Sequence, residues 1–138
     1  MRLELSRRGD YAVRAALAVA ILDDGQPVSA RRIAERMHIP ARFLAHVLAD
    51  LVPAQLVIGT RGRGGGYRLA RPAGAISLLE VADAVEDDGA SSRCVLRGGR
   101  CRTDGTCAVH DAFYAASVAM RGELRAATLE GLAAADAN

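Results

Sequence analysis

The sequence predicts a mainly α-helical fold carrying one small β-hairpin. Three observations lead there. The composition is 51% hydrophobic and 25% charged but only 4% aromatic, with no Trp. A core of Ala, Leu and Val suits packed helices. Apolar residues also recur at helical spacing in several separate windows, while residues 56–70 read as two short strands around a run of glycines. At 138 residues the chain has the size of one domain, or of a small domain with an appended oligomerisation element.

From about Gly9 to Leu22, Tyr11, Val13, Ala16, Leu17, Ala20 and Ile21 share a helical face, with Arg14 opposite. Asp23-Asp-Gly-Gln-Pro27 supplies a stop. Ser29 is a good N-cap for a short helix from Ala30 to His38 that buries Ile33, Ala34 and Met37. Pro40 opens a further helix, Ala41 to Leu51, burying Phe43 or Leu44 with Val47, Leu48 and Leu51. Two short helices around the tight His38-Ile39-Pro40 turn read as helix-turn-helix.

Leu56-Val-Ile58 and Gly66-Tyr-Arg-Leu-Ala70 are the strands, with Gly59-Thr-Arg-Gly-Arg-Gly-Gly65 between them. The glycines permit the positive φ of a tight hairpin, and Arg61 and Arg63 fall at its tip. A basic hairpin directly after a helix-turn-helix is a wing. A nucleotide-binding loop fits less well, because no Gly-Lys-Ser/Thr follows and no helix opens there. Ser77 then caps a helix from Leu78 to Val85, and Ala108 to about Ala127 makes a long amphipathic helix through Val109, Phe113, Ala116, Met120 and Leu124. Thr128-Leu-Glu-Gly-Leu132 closes the chain, with a fraying Ala-rich tail beyond. The expected architecture is therefore a winged helix-turn-helix (residues 1–75) followed by a ligand loop and a long C-terminal dimerisation helix (residues 76–138).

Charge agrees with that division. Residues 1–75 hold twelve arginines against six acids, and residues 76–138 six against ten, giving the net +2. A basic first half is the electrostatic footprint of nucleic-acid binding. The expected contacts are Arg42 and His46 on the exposed side of the second short helix, Arg31 and Arg32 on backbone phosphate, and Arg61, Arg63, Gly64 and Gly65 in the wing. No apolar run approaches the length that spans a membrane, so the protein is expected in the cytoplasm. Neither a nucleophile–base pair nor a paired-carboxylate site presents itself, so no catalysis and no small-molecule substrate are expected.

All three cysteines, Cys94, Cys101 and Cys107, lie in one Gly- and Arg-rich stretch, with His110 three residues beyond the last. An odd number on a loop suits a thiolate metal site better than a disulfide framework. Gaps of six and five residues are wider than the Cys-x-x-Cys pairs of zinc ribbons, so an iron–sulfur cluster with a fourth ligand from elsewhere is favoured over structural zinc.

With these residues in view, the whole chain resembles the Rrf-two type winged-helix transcriptional regulators. The resemblance is carried by the Met1-Arg-Leu3 opening, Asp10-Tyr-Ala-Val-Arg14, Arg61-Gly-Arg-Gly-Gly-Gly-Tyr67, Ile76-Ser-Leu-Leu-Glu-Val-Ala-Asp-Ala-Val85, the three cysteines and Thr128-Leu-Glu-Gly-Leu132. It implies a homodimer on an operator in double-stranded DNA, each protomer holding an iron–sulfur cluster that changes operator affinity. For the fourth ligand it implies two alternatives. Cys107-Ala-Val-His110 is similar to the cluster-assembly regulators, where that histidine completes a two-iron cluster. Asp10 matches the nitric-oxide sensors, where an aspartate from the partner subunit completes a four-iron cluster. The first cysteine gap is one residue longer than is usual in either group.

Overall fold

The computed structural model describes residues 2–86, 94–96 and 107–137. The expected helices and hairpin are all present. Helices α1 (Arg7–Ile21), α2 (Ala30–Met37) and α3 (Ala41–Leu51) precede strands β1 (Val57–Thr60) and β2 (Gly66–Leu69). A 3-10 turn, Ala73–Ala75, then leads to α4 (Leu78–Asp83), α5 (His110–Ala126) and α6 (Leu129–Asp136).

Local chemistry explains most boundaries. Ser6, Ser29, Ser77 and Thr128 each cap a helix by accepting a backbone N–H, from Gly9, Arg32, Glu80 and Gly131 respectively. At Ser77 the cap is reciprocal, since Glu80 returns its carboxylate to the Ser77 N–H at 2.9 Å. Helix α2 ends at His38, which takes the left-handed conformation at φ 53°.

Helix α1 is the spine. Its Ala12, Ala15, Ala16, Ala18 and Val19 are buried, and small side chains there let α2, α3, α4 and α6 all pack on it. Ile33, Leu44, Val47, Leu48 and Leu51 complete the helix-turn-helix core, and Ile76, Val81 and Leu129 join the same apolar cluster. Each fully buried aliphatic side chain contributes about 1.5–3 kcal/mol.

The strands pair antiparallel, Val57 with Leu69 through Thr60 with Gly66. Val28 and Tyr67 exchange two backbone hydrogen bonds, at 2.8 and 2.7 Å, and fasten the hairpin to the α1–α2 connection. Gly66, at φ 151°, permits that approach, because a Cβ there would lie 2.4 Å from the Val28 carbonyl oxygen.

One departure from the sequence expectation has a physical cause. The Ala-rich tail does not fray: α6 runs to Asp136, whose carboxylate accepts from Arg36 at 2.7 Å at the end of α2. Leu129 is fully buried, which seats the start of that helix. Helix α5, expected as the dimerisation element, leaves most of its N-terminal half uncovered by this chain. Phe113, Tyr114 and Val118 are 40%, 65% and 54% exposed, while Val109 and His110 at its start and Met120 and Leu124 in its C-terminal half are partly covered.

Candidate metal centre and nucleic-acid interface

The end of α4 delivers the cysteine segment. Glu86, the last described residue before it, turns back onto α1 and accepts the Ser6 N–H at 2.8 Å. Beyond it, Cys94 is buried and Cys107 half-buried. Their Sγ atoms are 3.6 Å apart. A disulfide needs about 2.05 Å, and the two sulfurs are not joined. Two thiolates on one tetrahedral metal, with bonds of about 2.3 Å, stand about 3.7 Å apart; the observed separation is also that of a thiol–thiol hydrogen-bond contact, so it is compatible with a shared metal without assigning one. Soft sulfur donors of this kind suit iron or zinc.

His110 begins α5, and its backbone N–H donates to the Cys107 carbonyl at 3.0 Å. Its imidazole lies nearly parallel to the Tyr114 ring, at 7° and 6.2 Å between centroids. Cys101 lies outside the described residues. Among the described residues, no three His, Cys, Asp or Glu side chains converge to metal-binding distance.

Asp10, the other candidate fourth ligand, sits in the first turn of α1 and is engaged elsewhere. Arg14 donates from Nε to Asp10 Oδ1 at 2.9 Å and forms a second contact with the same carboxylate. The Asp10 hydrogen bond, more than the smaller opposing effect of burial, holds the Arg14 guanidinium above its usual range. Arg14 also donates to the Met37 carbonyl at 3.1 Å, which ties α1 to the last turn of α2. The structure thus brings Cys94, Cys107 and the His110 backbone together and places Asp10 against Arg14.

The candidate nucleic-acid face is α3 with the wing. Leu44, Val47, Leu48 and Leu51 point inward, which leaves Arg42, Ala45, His46 and Ala49 exposed. Arg61 and Arg63 project at the hairpin tip. The two wing glycines differ. Gly64, at φ 74°, has open space around it, whereas a Cβ on Gly65 would lie 2.3 Å from the Thr60 carbonyl oxygen. Gly65 therefore shapes the turn. Arg31 is exposed and pairs with Glu35 at 2.8 Å, a hydrogen bond that raises its pKa. Arg32 lies 3.8 Å from Asp24.

Sequence reasoning did not find three features of these sites: Glu86 on Ser6, Arg14 on Met37, and the Arg42 guanidinium over the Phe43 ring at 4.8 Å. The first two join residues far apart in the chain and carry no local pattern. The third is between neighbours, and the spacing alone does not reveal it.

Among the described residues, no helix is long and apolar enough to cross a membrane. The Rrf2 family model, described as an iron-dependent transcriptional regulator, matches residues 5–135. An HTH-type transcriptional regulator of Haemophilus influenzae is 35% identical over 130 residues, covering 94% of this chain and 86% of its own length. The HTH-type transcriptional regulator IscR of Citrobacter koseri is 35% identical over 127 residues, 92% of this chain and 77% of that one. Among solved structures, T. potens IscR aligns with a TM-score of 0.79 at 26% identity, over 99% of this chain and 89% of that one. CymR, the global cysteine regulator of B. subtilis, aligns with a TM-score of 0.80 at 25% identity, over 96% and 98%. The chain belongs to the Rrf2 family of winged-helix transcriptional regulators, which are not enzymes.

Proposed function

We propose that this protein is a homodimeric DNA-binding regulator whose operator affinity is set by an iron–sulfur cluster. Cys94, Cys101 and Cys107 hold the cluster, with His110 or Asp10 as fourth ligand. The observation that carries the reading is the 3.6 Å separation of the Cys94 and Cys107 sulfurs at the foot of α5. When bound, the cluster supplies metal–sulfur bonds that nitric oxide, oxidation or iron scarcity break.

The chain's own residues connect that site to DNA. The cysteine segment leaves α4 at Glu86, which is fastened to the start of α1. It re-enters at Cys107, whose carbonyl accepts the N–H of His110, the first residue of α5. Arg121 on α5 holds the Asp83 carboxylate of α4 with two hydrogen bonds, at 3.2 and 2.7 Å. A cluster held by the cysteines would therefore favour one placement of α1 relative to α5. Because α1 carries the helix-turn-helix and α5 offers the face for a second copy, this biases the spacing of the two recognition helices. Arg42 meets base edges in the major groove, while His46, Arg31, Arg32, Arg61 and Arg63 meet phosphate or, in the wing, the minor groove.

The test is the visible spectrum with iron and sulfide content of protein purified without oxygen, followed by operator binding of holo and apo protein at fixed salt. A brown protein with matched iron and sulfide, and unequal operator affinities, is expected. A colourless protein carrying stoichiometric zinc would replace the cluster with a structural metal on the same thiolates. Equal affinities of the two forms would remove the switch.

A further inference from the structure

Four side chains from two helices form a line that ends on the proposed DNA-reading face. The Arg14 guanidinium carbon is 5.4 Å from the centroid of the Tyr11 ring. Tyr11 and Phe43 stack with centroids 5.6 Å apart and planes 30° apart. The Arg42 guanidinium carbon is 4.8 Å from the centroid of Phe43. The inner end of the line is fixed, because Arg14 is hydrogen-bonded to Asp10 and to the Met37 carbonyl. The outer end, Arg42, is exposed in the first turn of α3.

Phe43 has no atom that hydrogen-bonds a base or a phosphate. It is only half-buried, and Leu44, Val47 and Leu48 already supply the inward face of α3. What its ring offers is a flat, electron-rich surface, which Arg42 occupies. An arginine free in solvent samples many rotamers and serves phosphate and base alike. One lying on an aromatic face has its plane set, and reading guanine O6 and N7 with two parallel N–H groups requires a set plane.

We propose that Phe43, backed by Tyr11, is a positioning residue for Arg42 and through it sets base preference at one position of the operator. The inference rests on the DNA-binding reading above. The preferred pair at that position is G·C, the commonest partner of an arginine fork.

The experiment selects duplexes from a randomised pool with full-length dimer and then compares variants on single-base changes of the selected site. Phe43→Leu removes the ring and keeps an apolar side chain against Tyr11. It is expected to lower discrimination at the Arg42 position by about two- to five-fold, the scale of an exposed cation–π contact. Phe43→Tyr is expected to retain it. In an Arg42→Ala background, Phe43→Leu is expected to have no further effect. Unchanged discrimination in Phe43→Leu, or an equal drop in the Arg42→Ala background, overturns the inference alone. A wild-type protein that selects no sequence overturns the DNA-binding reading itself. Should Phe43→Leu fail to fold, the Arg42 Cδ protons of the wild-type protein decide: an upfield ring-current shift is expected, and its absence overturns the platform.

Discussion

The Glu86 carboxylate accepts the backbone N–H of Ser6 at 2.8 Å, across eighty positions of sequence. Gly9 makes room for it, since a Cβ there would fall 2.0 Å from Glu86 Oε1. Gly9→Ala therefore has two opposed effects. Alanine in the helix is worth about 1 kcal/mol over glycine, while displacing Glu86 forfeits a hydrogen bond of about the same size. The single variant should leave the unfolding free energy nearly unchanged. In a Glu86→Ala background, Gly9→Ala should stabilise by up to about 1 kcal/mol, because the remaining neighbour, Leu5 Cβ at 3.3 Å, need give only slightly. Denaturant titration of the four proteins reads the coupling. Equal effects of Gly9→Ala in both backgrounds would mean that Glu86 does not occupy this place.

Asp10 has two candidate roles with different signatures. Its pair with Arg14 is an (i, i+4) contact between side chains roughly 40% exposed. Pairs of that kind stabilise by only about 0.3–0.5 kcal/mol. Asp10→Asn should thus shift thermal unfolding of the apo protein little. A large change in the visible spectrum of the holo protein, with apo stability preserved, would make Asp10 the fourth ligand. An unchanged spectrum, with His110→Ala bleaching it, would assign that role to His110.

In the wing, shape and charge separate. Gly66→Ala places a Cβ against the Val28 carbonyl at a φ that side chains avoid. It should cost about 1–3 kcal/mol of stability and free the hairpin from the α1–α2 connection. Arg61→Ala and Arg63→Ala should leave stability within about 0.5 kcal/mol. Each should lower operator affinity and flatten the plot of log affinity against log salt by about one unit of slope, because one phosphate is no longer neutralised by the protein. Wild-type slopes in both variants would take the arginines out of the interface.

Glu80 gives the fold an acid dependence with a definite sign. The Ser77 N–H, and after it Arg71, hold its carboxyl below the usual glutamate range. A depressed folded value means that the contribution is complete above the unfolded value, about 4.3. It disappears as pH falls through the folded value. Melting curves between about pH 6 and pH 3 should show the wild type losing more stability than Glu80→Gln across that window. Parallel curves would mean that the capping box carries no net charge effect.

The helices are legible in the sequence because each announces itself locally. Serine caps at Ser29 and Ser77, the Asp23–Pro27 stop and the i, i+3, i+4 apolar stripes place most boundaries within two residues. The three cysteines and His110 are legible as a group from residue type and spacing. The extent of α6 is not, because what holds its end is Arg36, a hundred positions away. Nor is the engagement of Asp10 by Arg14, since an aspartate four residues before an arginine reads equally as a helix ion pair or as a free carboxylate. The periodicity of α5 is plain in the sequence, but the stripe does not identify the surface that covers it.

That stripe yields the last prediction. Every residue from Asp111 to Ala119 is exposed in the single chain, including Phe113, Tyr114 and Val118. Tyr114 and Val118 are four apart and share a helical face, and an apolar face of this kind is costly to leave in water. If it is covered by a second copy, Val118→Glu buries a charge with no partner, a change worth about 3–5 kcal/mol. The dimer dissociation constant should then rise by about a hundred-fold or more, read by sedimentation equilibrium. Helix content should be unchanged, because α4 and α6 still hold the C-terminal half of the fold through Arg121 and Leu129. Operator affinity should fall with dimerisation, since a monomer reads only one half-site. A Val118→Glu protein that stays dimeric would move the interface off α5, and one that is monomeric yet binds the operator at full strength would separate assembly from DNA reading.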